Sequence, residues 1–446
     1  MISTLDAQAA SERERPEGYC PPVPQTLEET GLNENFLQQL LLKTMYFRGE
    51  MVGRELGKSL GLNFSIIEGC LEYFRQHHLV AVKRSLGMGM VSNVFALSEQ
   101  GRTLASKYLE SNTYAGKAPV PLAQYCASVR AQKQPANWLT KDSLRAAFRH
   151  MVLSDDLLSQ IGPAVNAGKS FLLYGQPGNG KTYAAEAIFR IEALPIYIPY
   201  AIECAGQIVQ MFDPLYHNRV KPEEEEQATL WSVDEEKTHD ARWVQVRRPF
   251  VVSGGELTLE MLDLAFKPDS KIYDAPFQLK ANNGIYLIDD FGRQRVSPAE
   301  VLNRWIVPME KGIDYLNFLS GGKMSVPFDC FLVFSTNLRP EQIGDEAFLR
   351  RIQYKMYMKN PTEEEFAVIF RRYAASLNLP IVPGALGFIL ERRFRSTGKR
   401  LRRCQPRDLI SHAVDLINFE GLRYELSAEV LDRAYESTFV TDQYEA

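Results

Sequence analysis

Ser170-Phe-Leu-Leu-Tyr-Gly-Gln-Pro-Gly-Asn-Gly-Lys-Thr182 is the stretch that decides the fold. Phe171 to Tyr174 is a short apolar run, which reads as a strand covered on both faces. Gly175, Gly178 and Gly180 follow it and allow backbone conformations that side chains oppose. Tyr183 to Arg190 is then a run of helix formers. In that order, the turn directs its backbone N–H groups inward beside a helix N-terminus, where an anion is favoured. The spacing is that of the phosphate-cradling loop G-x-x-x-x-G-K-[ST]. Lys181 is placed to reach the outer phosphates of a nucleotide, and Thr182 to hold Mg2+ through its hydroxyl. The candidate binding residues are Gly175, Pro177, Gly178, Asn179, Gly180, Lys181, Thr182 and Tyr183.

A nucleotide site of this kind needs a carboxylate for the metal. Ile285-Tyr-Leu-Ile-Asp289-Asp290 is an apolar run ending in two acids and resembles a Walker B segment. Cys330-Phe-Leu-Val-Phe-Ser-Thr-Asn337 is a second apolar run, ending in polar residues. With Asp345-Glu-Ala-Phe-Leu-Arg350-Arg351-Ile352 and Gln405-Pro406-Arg407-Asp408-Leu409, these segments resemble, in order, the motifs of the AAA+ ATPase superfamily. The resemblance runs from about Trp138 to Phe439. It implies ATP and Mg2+ as cofactors, with Asp289 on the metal and Asn337 as the sensor between the acidic strand and the γ-phosphate. It implies Arg351, or else Arg350, as a finger reaching a neighbouring subunit's site, and Arg407 as the lid arginine. Arg402 and Arg403 are close enough that this last position could shift by a few residues. Asp290 stands where many such ATPases place a glutamate that orients water, and it is one methylene shorter.

Outward from this core, the expected fold class is α/β: a P-loop parallel sheet, a C-terminal helical lid and a small N-terminal α+β domain. Expected strands are Phe171–Tyr174, Pro195–Tyr200, Gly284–Ile288, Phe331–Phe334 and Gln353–Tyr357. Asp314 to Pro327, with Ser320-Gly321-Gly322 at its centre, is a hairpin signal. It resembles the pre-sensor 1 hairpin of one AAA+ group, which often faces a pore or a partner. Residues 138–358 form the nucleotide-binding unit and 359–446 the lid. The stretch 192–283 exceeds what a minimal core needs and has no evident function; within it, about 221–240 is strongly acidic and reads as a solvated loop. The run Arg392 to Arg407 is strongly basic. It reads as a solvated helix face, or more sharply as an interface or nucleic-acid patch.

Residues 1–30 are polar with several prolines and read as a flexible tail, or as an arm lying on another surface. Residues 31–112 give three short helices, two strand-like stretches around Ser85–Gly89 and a closing helix, a pattern that resembles a winged helix-turn-helix. Residues 113–137, bearing Pro119, Pro121 and Pro135, read as a linker.

The 446 residues carry 51 basic and 55 acidic side chains, for a net charge of -4, so no chain-wide charge signal for nucleic acid or membrane exists. Six scattered cysteines include no C-x-x-C pair, which argues against a zinc module. No signal peptide or membrane span is evident, and the cytoplasm is the default expectation.

The expected function is ATP hydrolysis by a ring, most often a hexamer in this superfamily, remodelling protein complexes with residues 31–112 as the adaptor. The alternatives are a DNA-associated loader, initiator or transposition helper, and a slow nucleotide switch suggested by Asp290. From Glu34 to Glu110 there are nine Lys/Arg against seven Asp/Glu, modest for a DNA reader.

Overall fold

A computed structural model describes residues 18–438, apart from 136, 169, 192, 223–238 and 345. The central sheet has five parallel strands: β1 (Phe171–Tyr174), β2 (Phe250–Ser253), β3 (Ile285–Ile288), β4 (Phe331–Thr336) and β5 (Tyr354–Tyr357). Their spatial order is β2-β3-β4-β1-β5, so β4 lies between the glycine-loop strand and the acidic strand. Alternate residues face opposite layers, as a pleated strand requires. Leu173, Leu287, Val333 and Met356 pack with the layer of Ile161 and Ile188, while Leu172, Tyr286, Ile288 and Phe334 pack with that of Val301, Leu302 and Trp305. Burial on both faces explains the uninterrupted apolar runs.

One expected strand lies elsewhere. Ile196–Pro199 pairs antiparallel with Trp243–Val246, outside the central sheet. The place beside β3 belongs to Phe250–Ser253, which was not anticipated. As an edge strand it is short, and its Val252 faces outward, so its apolar signal is weak.

Part of the 192–283 insertion folds into a second sheet. Ala201–Cys204 and Gln207–Gln210 form a hairpin across Ala205-Gly206, both with positive φ, as a two-residue turn requires. Ile272–Asp274, Ala265–Lys267 and Val120–Pro121 complete it. Residues 113–137 are therefore not a bare linker. Val120–Pro121 is an edge strand, where proline is tolerated, and Leu122–Ala131 is a helix on the same unit. The hairpin Ile313–Asn317/Lys323–Pro327 forms as expected, but its inner face is covered. Leu316, Phe318, Met324 and Val326 are buried with Ile202, Val209 and Tyr273 of the inserted sheet.

The N-terminal unit has helices Glu34–Arg48, Gly53–Leu60, Phe64–Gln76 and Glu99–Leu109, with strands Val80–Ser85 and Asn93–Leu97. Just before the second helix, Met51 and Val52 pair with Phe95 and Val94 to make a third strand. Residues 18–30 lie as an arm on the body: Pro21 O accepts from Asp240 N, and Thr30 O from Arg242 Nη1 at 2.9 Å. Arg242 and Asp240 form an ion pair at 2.8 Å with 2% of each side chain exposed. The acidic run expected over 221–240 falls mostly outside the described residues, as does the tail before residue 18.

Residues after 359 are helical and build a separate core around Phe366, Phe370, Ile389, Leu409 and Leu431. The basic run is largely met by acids. Arg392 and Arg393 pair with Asp432, Arg395 with Glu363 and Glu391, and Arg403 with Glu365.

Candidate nucleotide site

Parallel strands end together, so the residues after β1, β3 and β4 share one rim. After β1, Gly175, Gly178 and Gly180 have φ of 149°, 80° and 84°. Side chains would collide here: a Cβ on Gly175 would sit 2.5 Å from Met358 O, and one on Gly178 2.5 Å from Cys404 Sγ. The helix Lys181–Phe189 starts at once behind the loop. Asn179 is fully buried and donates to Asn360 Oδ1 at 2.8 Å, which ties the loop to the chain entering the lid.

Lys181 Nζ donates to Gly175 O and Gln176 O at 3.1 Å each and to Asn337 Oδ1 at 2.7 Å. Burial lowers the pKa of its ammonium, against the raising influence of Asp289 and Asp290. Asn337 Nδ2 donates to Asp290 Oδ1 at 2.9 Å, and Thr182 Oγ1 to Asp289 Oδ2 at 2.8 Å. Asn337 thus bridges lysine and acid, which the strand order makes possible by placing β4 between β1 and β3. Asp290 has φ of 50°, an uncommon conformation for a residue with a side chain. Gln294 Nε2 bonds Asp289 O at 2.8 Å and fixes the turn beyond it.

A glycine loop at a helix N-terminus, a lysine at its end, and two acids met by a threonine and an asparagine stand on a β2-β3-β4-β1-β5 parallel sheet. The core has a P-loop α/β fold with the AAA+ strand order.

The other named residues lie elsewhere on this core. Arg350 and Arg351 precede β5 and lie at the N-terminal ends of the strands, opposite to the rim that carries Lys181. Arg350 is exposed. Arg351 borders a cavity of about 430 Å3 at the starts of the strands, with Glu310 Oε1 3.6 Å from its Nε. Arg407 is exposed and its guanidinium pairs with Asp408 at 3.2 Å. The lid instead meets the glycine loop through Arg402, Arg403 and Cys404. Cys404 N donates to Gly178 O at 2.8 Å, Arg403 N to Asn179 Oδ1 at 3.4 Å, and Arg402 Cδ is the next lid atom to a Cβ built on Gly178. Burial pushes the Cys404 thiol up to about 11, so it stays protonated. Cys404, Asn360 and Gln294 were not singled out from sequence. Only the nearness of Cys404 to Gln405-Pro406, a helix start, hinted at one of them.

Met358 O and Cys404 leave the loop no room for side chains, and the oxygens of Thr182 and Asp289 are hard ligands suited to Mg2+. The residues therefore fit a magnesium nucleotide.

A family model described as a domain of unknown function (DUF8689) matches residues 362–437, within the C-terminal helical unit. No curated protein matches the chain. Similar solved structures include NtrX from Brucella abortus, at 12% identity and a TM-score of 0.38 over 75% of this chain and 61% of that one. The same protein in complex with ATP gives 12% identity and 0.37 over 82% and 68%. The RuvB Holliday junction branch migration motor of Thermotoga maritima gives 14% identity and 0.35 over 64% and 69%. The chain spans 61% of the length of the first NtrX structure. These likenesses are distant, and the fold rests on the strand order and loop geometry. No described helix is long and apolar enough to cross a membrane.

Proposed function

We propose that the chain binds and hydrolyses ATP and converts the cycle into work on another macromolecule. The observation that carries this is the bridge Lys181–Asn337–Asp290 beside Thr182–Asp289 on one rim. The glycine loop and the N-terminus of the helix that starts at Lys181 hold the phosphates, and Lys181 counters the charge that develops on them. Thr182 and Asp289 would hold Mg2+, which supplies charge neutralisation at the phosphates. Asp290 orients the attacking water and accepts its proton. Asn337 keeps Asp290 and Lys181 apart and aimed, and Arg402, which borders the loop, is a stronger candidate than Arg407 for the lid's contact to phosphate.

Arg351 supports the reading that the site is shared between copies. It precedes Tyr354, which pairs with Phe171 at the start of the loop strand. Four residues of strand, about 13 Å, then separate it from the rim of Lys181. A finger so placed serves a neighbour's nucleotide, in a ring for which a hexamer is favoured.

Four helices and a three-stranded antiparallel sheet in residues 31–112 support the winged-helix reading, and we assign this unit the adaptor role in remodelling protein complexes. Lys83 and Arg84, exposed on the hairpin, favour the DNA-associated reading. Steady-state ATPase assays with and without duplex DNA separate the two. Turnover independent of DNA and lost in Lys181→Ala and Asp290→Asn supports the remodeller, and DNA stimulation moves the chain to the second class. Absence of multiple turnovers in the wild type leaves a nucleotide switch.

A further inference from the structure

The helix Phe64–Gln76 buries Ile66, Ile67, Cys70, Leu71 and Phe74 and turns a full stripe outward. Ser65, Glu68, Gly69, Glu72 and Gln76 follow one another at helical spacing along it, all exposed. At 1.5 Å per residue the stripe is roughly 16 Å long. Among the described residues, neither Glu68 nor Glu72 makes an ion pair or hydrogen bond, so two carboxylates one turn apart stand free. Gly69 lies between them. Its φ is not positive, and nothing lies within 4 Å of where its Cβ would be. Glycine is unfavourable in a helix interior, and nothing among the described residues requires it here. What it provides is a gap in the side-chain layer, flanked by negative charge, where another chain can approach the helix closely.

The hairpin borders the same end of the stripe. A Cβ on Gly53 would meet both Phe64 Cε2 and Met90 O, so the loop that joins the hairpin's strands stands beside the start of this helix. The same loop carries Leu86 and Met88, both exposed, the latter 97%. An acidic stripe with a side-chain gap, next to an apolar tip, is complementary to a basic segment that also carries an aliphatic side chain.

We propose that this face docks a protein segment in which Lys or Arg lies beside a leucine-like residue: the cation pairs with Glu68 and Glu72, the backbone passes over Gly69, and the aliphatic group meets Leu86 and Met88. The inference deepens the adaptor reading by naming the partner's chemistry. Nucleic acid fits the stripe poorly, since phosphates would face free carboxylates, although Lys83 and Arg84 lie further along the hairpin.

The test is a selection from a displayed library of random 12-residue peptides on the full-length protein, followed by titration of the enriched peptides. Enrichment of Lys/Arg with Leu, Ile or Met is expected, with affinity falling about tenfold or more in Glu68→Lys/Glu72→Lys and in Met88→Asp. The double variant changes only exposed side chains and keeps its ATPase rate, so failure of the docking proposal is distinguishable from failure of the nucleotide reading. Gly69→Arg should block the same peptides while circular dichroism shows the fold intact. Lack of enrichment, enrichment of acidic peptides, or equal binding to the variants overturns the proposal. Binding of a 20-base-pair duplex that Gly69→Arg abolishes gives the face to nucleic acid and overturns it as well.

Discussion

Replacing Asn337 by alanine tests the nucleotide site at its centre. The side chain accepts from Lys181 Nζ at 2.7 Å and donates to Asp290 Oδ1 at 2.9 Å. The two ends are not equally dependent on it. Lys181 keeps its bonds to Gly175 O and Gln176 O, so the group proposed to meet the phosphates stays in place. The Asp290 carboxylate has no other hydrogen-bond partner among the described residues, and its backbone is already in the uncommon φ of 50°. Losing one charge-assisted bond at a group that acts in the transition state costs about 2–3 kcal/mol, or roughly 30- to 150-fold in kcat. KM should stay within about threefold, because phosphate binding is retained. Steady-state ATPase assays over a substrate series, with a fluorescent nucleotide titration as the binding control, measure both. Asn337→Asp refines the test: a second carboxylate beside Asp290 holds one of the pair protonated to higher pH, and the acid limb of the rate profile moves up. A kcat within threefold of wild type in Asn337→Ala, or a loss confined to KM, refutes the role assigned to the bridge.

Arg242→Met should lower stability by about 3–5 kcal/mol in denaturant titrations, since it strands the buried Asp240 carboxylate, and Asp240→Leu/Arg242→Met should recover most of it. Burial holds His217 neutral, with its pKa lowered from 6.5 to about 4, while its Nε2 bonds Lys280 O. The unfolded chain therefore takes up this proton first, and stability falls as pH drops from 6.5 towards 4, by up to about 3 kcal/mol. Thermal melts across that window should show a smaller slope in His217→Gln. Mixing inactive Arg351→Ala with inactive Lys181→Ala should restore some ATPase activity if the finger acts across a subunit boundary, and none if it acts within its own chain. Asp314→Asn, which weakens the bonds to Arg304 and Gln278, should leave nucleotide binding intact while reducing any nucleotide-dependent change in amide exchange at residues 110–114.

The parts of the fold that could be read in the sequence are those written locally. The glycine loop, the acidic strand and the Asn337 strand each carry their own signal, because a strand buried on both faces needs a continuous apolar run and a phosphate loop needs glycine at set places. Phe250–Ser253 escaped because an edge strand needs only one apolar face. Val120–Pro121 escaped because its partner Ala201–Cys204 is some eighty residues away and its prolines looked like punctuation. Which lid residue borders the loop could not be read from the sequence for a related reason. Position along the Arg-rich run gives no periodic signal for which guanidinium borders Gly178, and most of these arginines are taken up by Asp432, Glu363, Glu391 and Glu365.

The inserted sheet ties the hairpin after the acidic strand to the rest of the body. Here Asp314, at its first strand, is buried between Arg304 Nη1 at 2.7 Å and Gln278 Nε2 at 3.1 Å, and Leu316 and Met324 are fully enclosed by the insertion. Arg304 ends the helix Pro298–Arg304, which begins eight residues after Asp290. The inserted sheet in turn holds the N-terminal unit: Thr113 N bonds Ser270 O at 2.9 Å, Lys271 Nζ bonds Glu110 O at 2.5 Å, and Phe36 and Tyr114 pack on Ala201, Ile208 and Ile272. Packed contacts transmit displacement because interiors have little free volume to absorb it. These contacts join the helix that follows the Asp289–Asp290 turn, through Arg304 and the hairpin, to the inserted sheet and residues 31–112, and the amide-exchange comparison above tests whether the proposed ATP cycle uses that route. The stretch that looked surplus in the sequence is the packed connection between the candidate nucleotide site's core and residues 31–112.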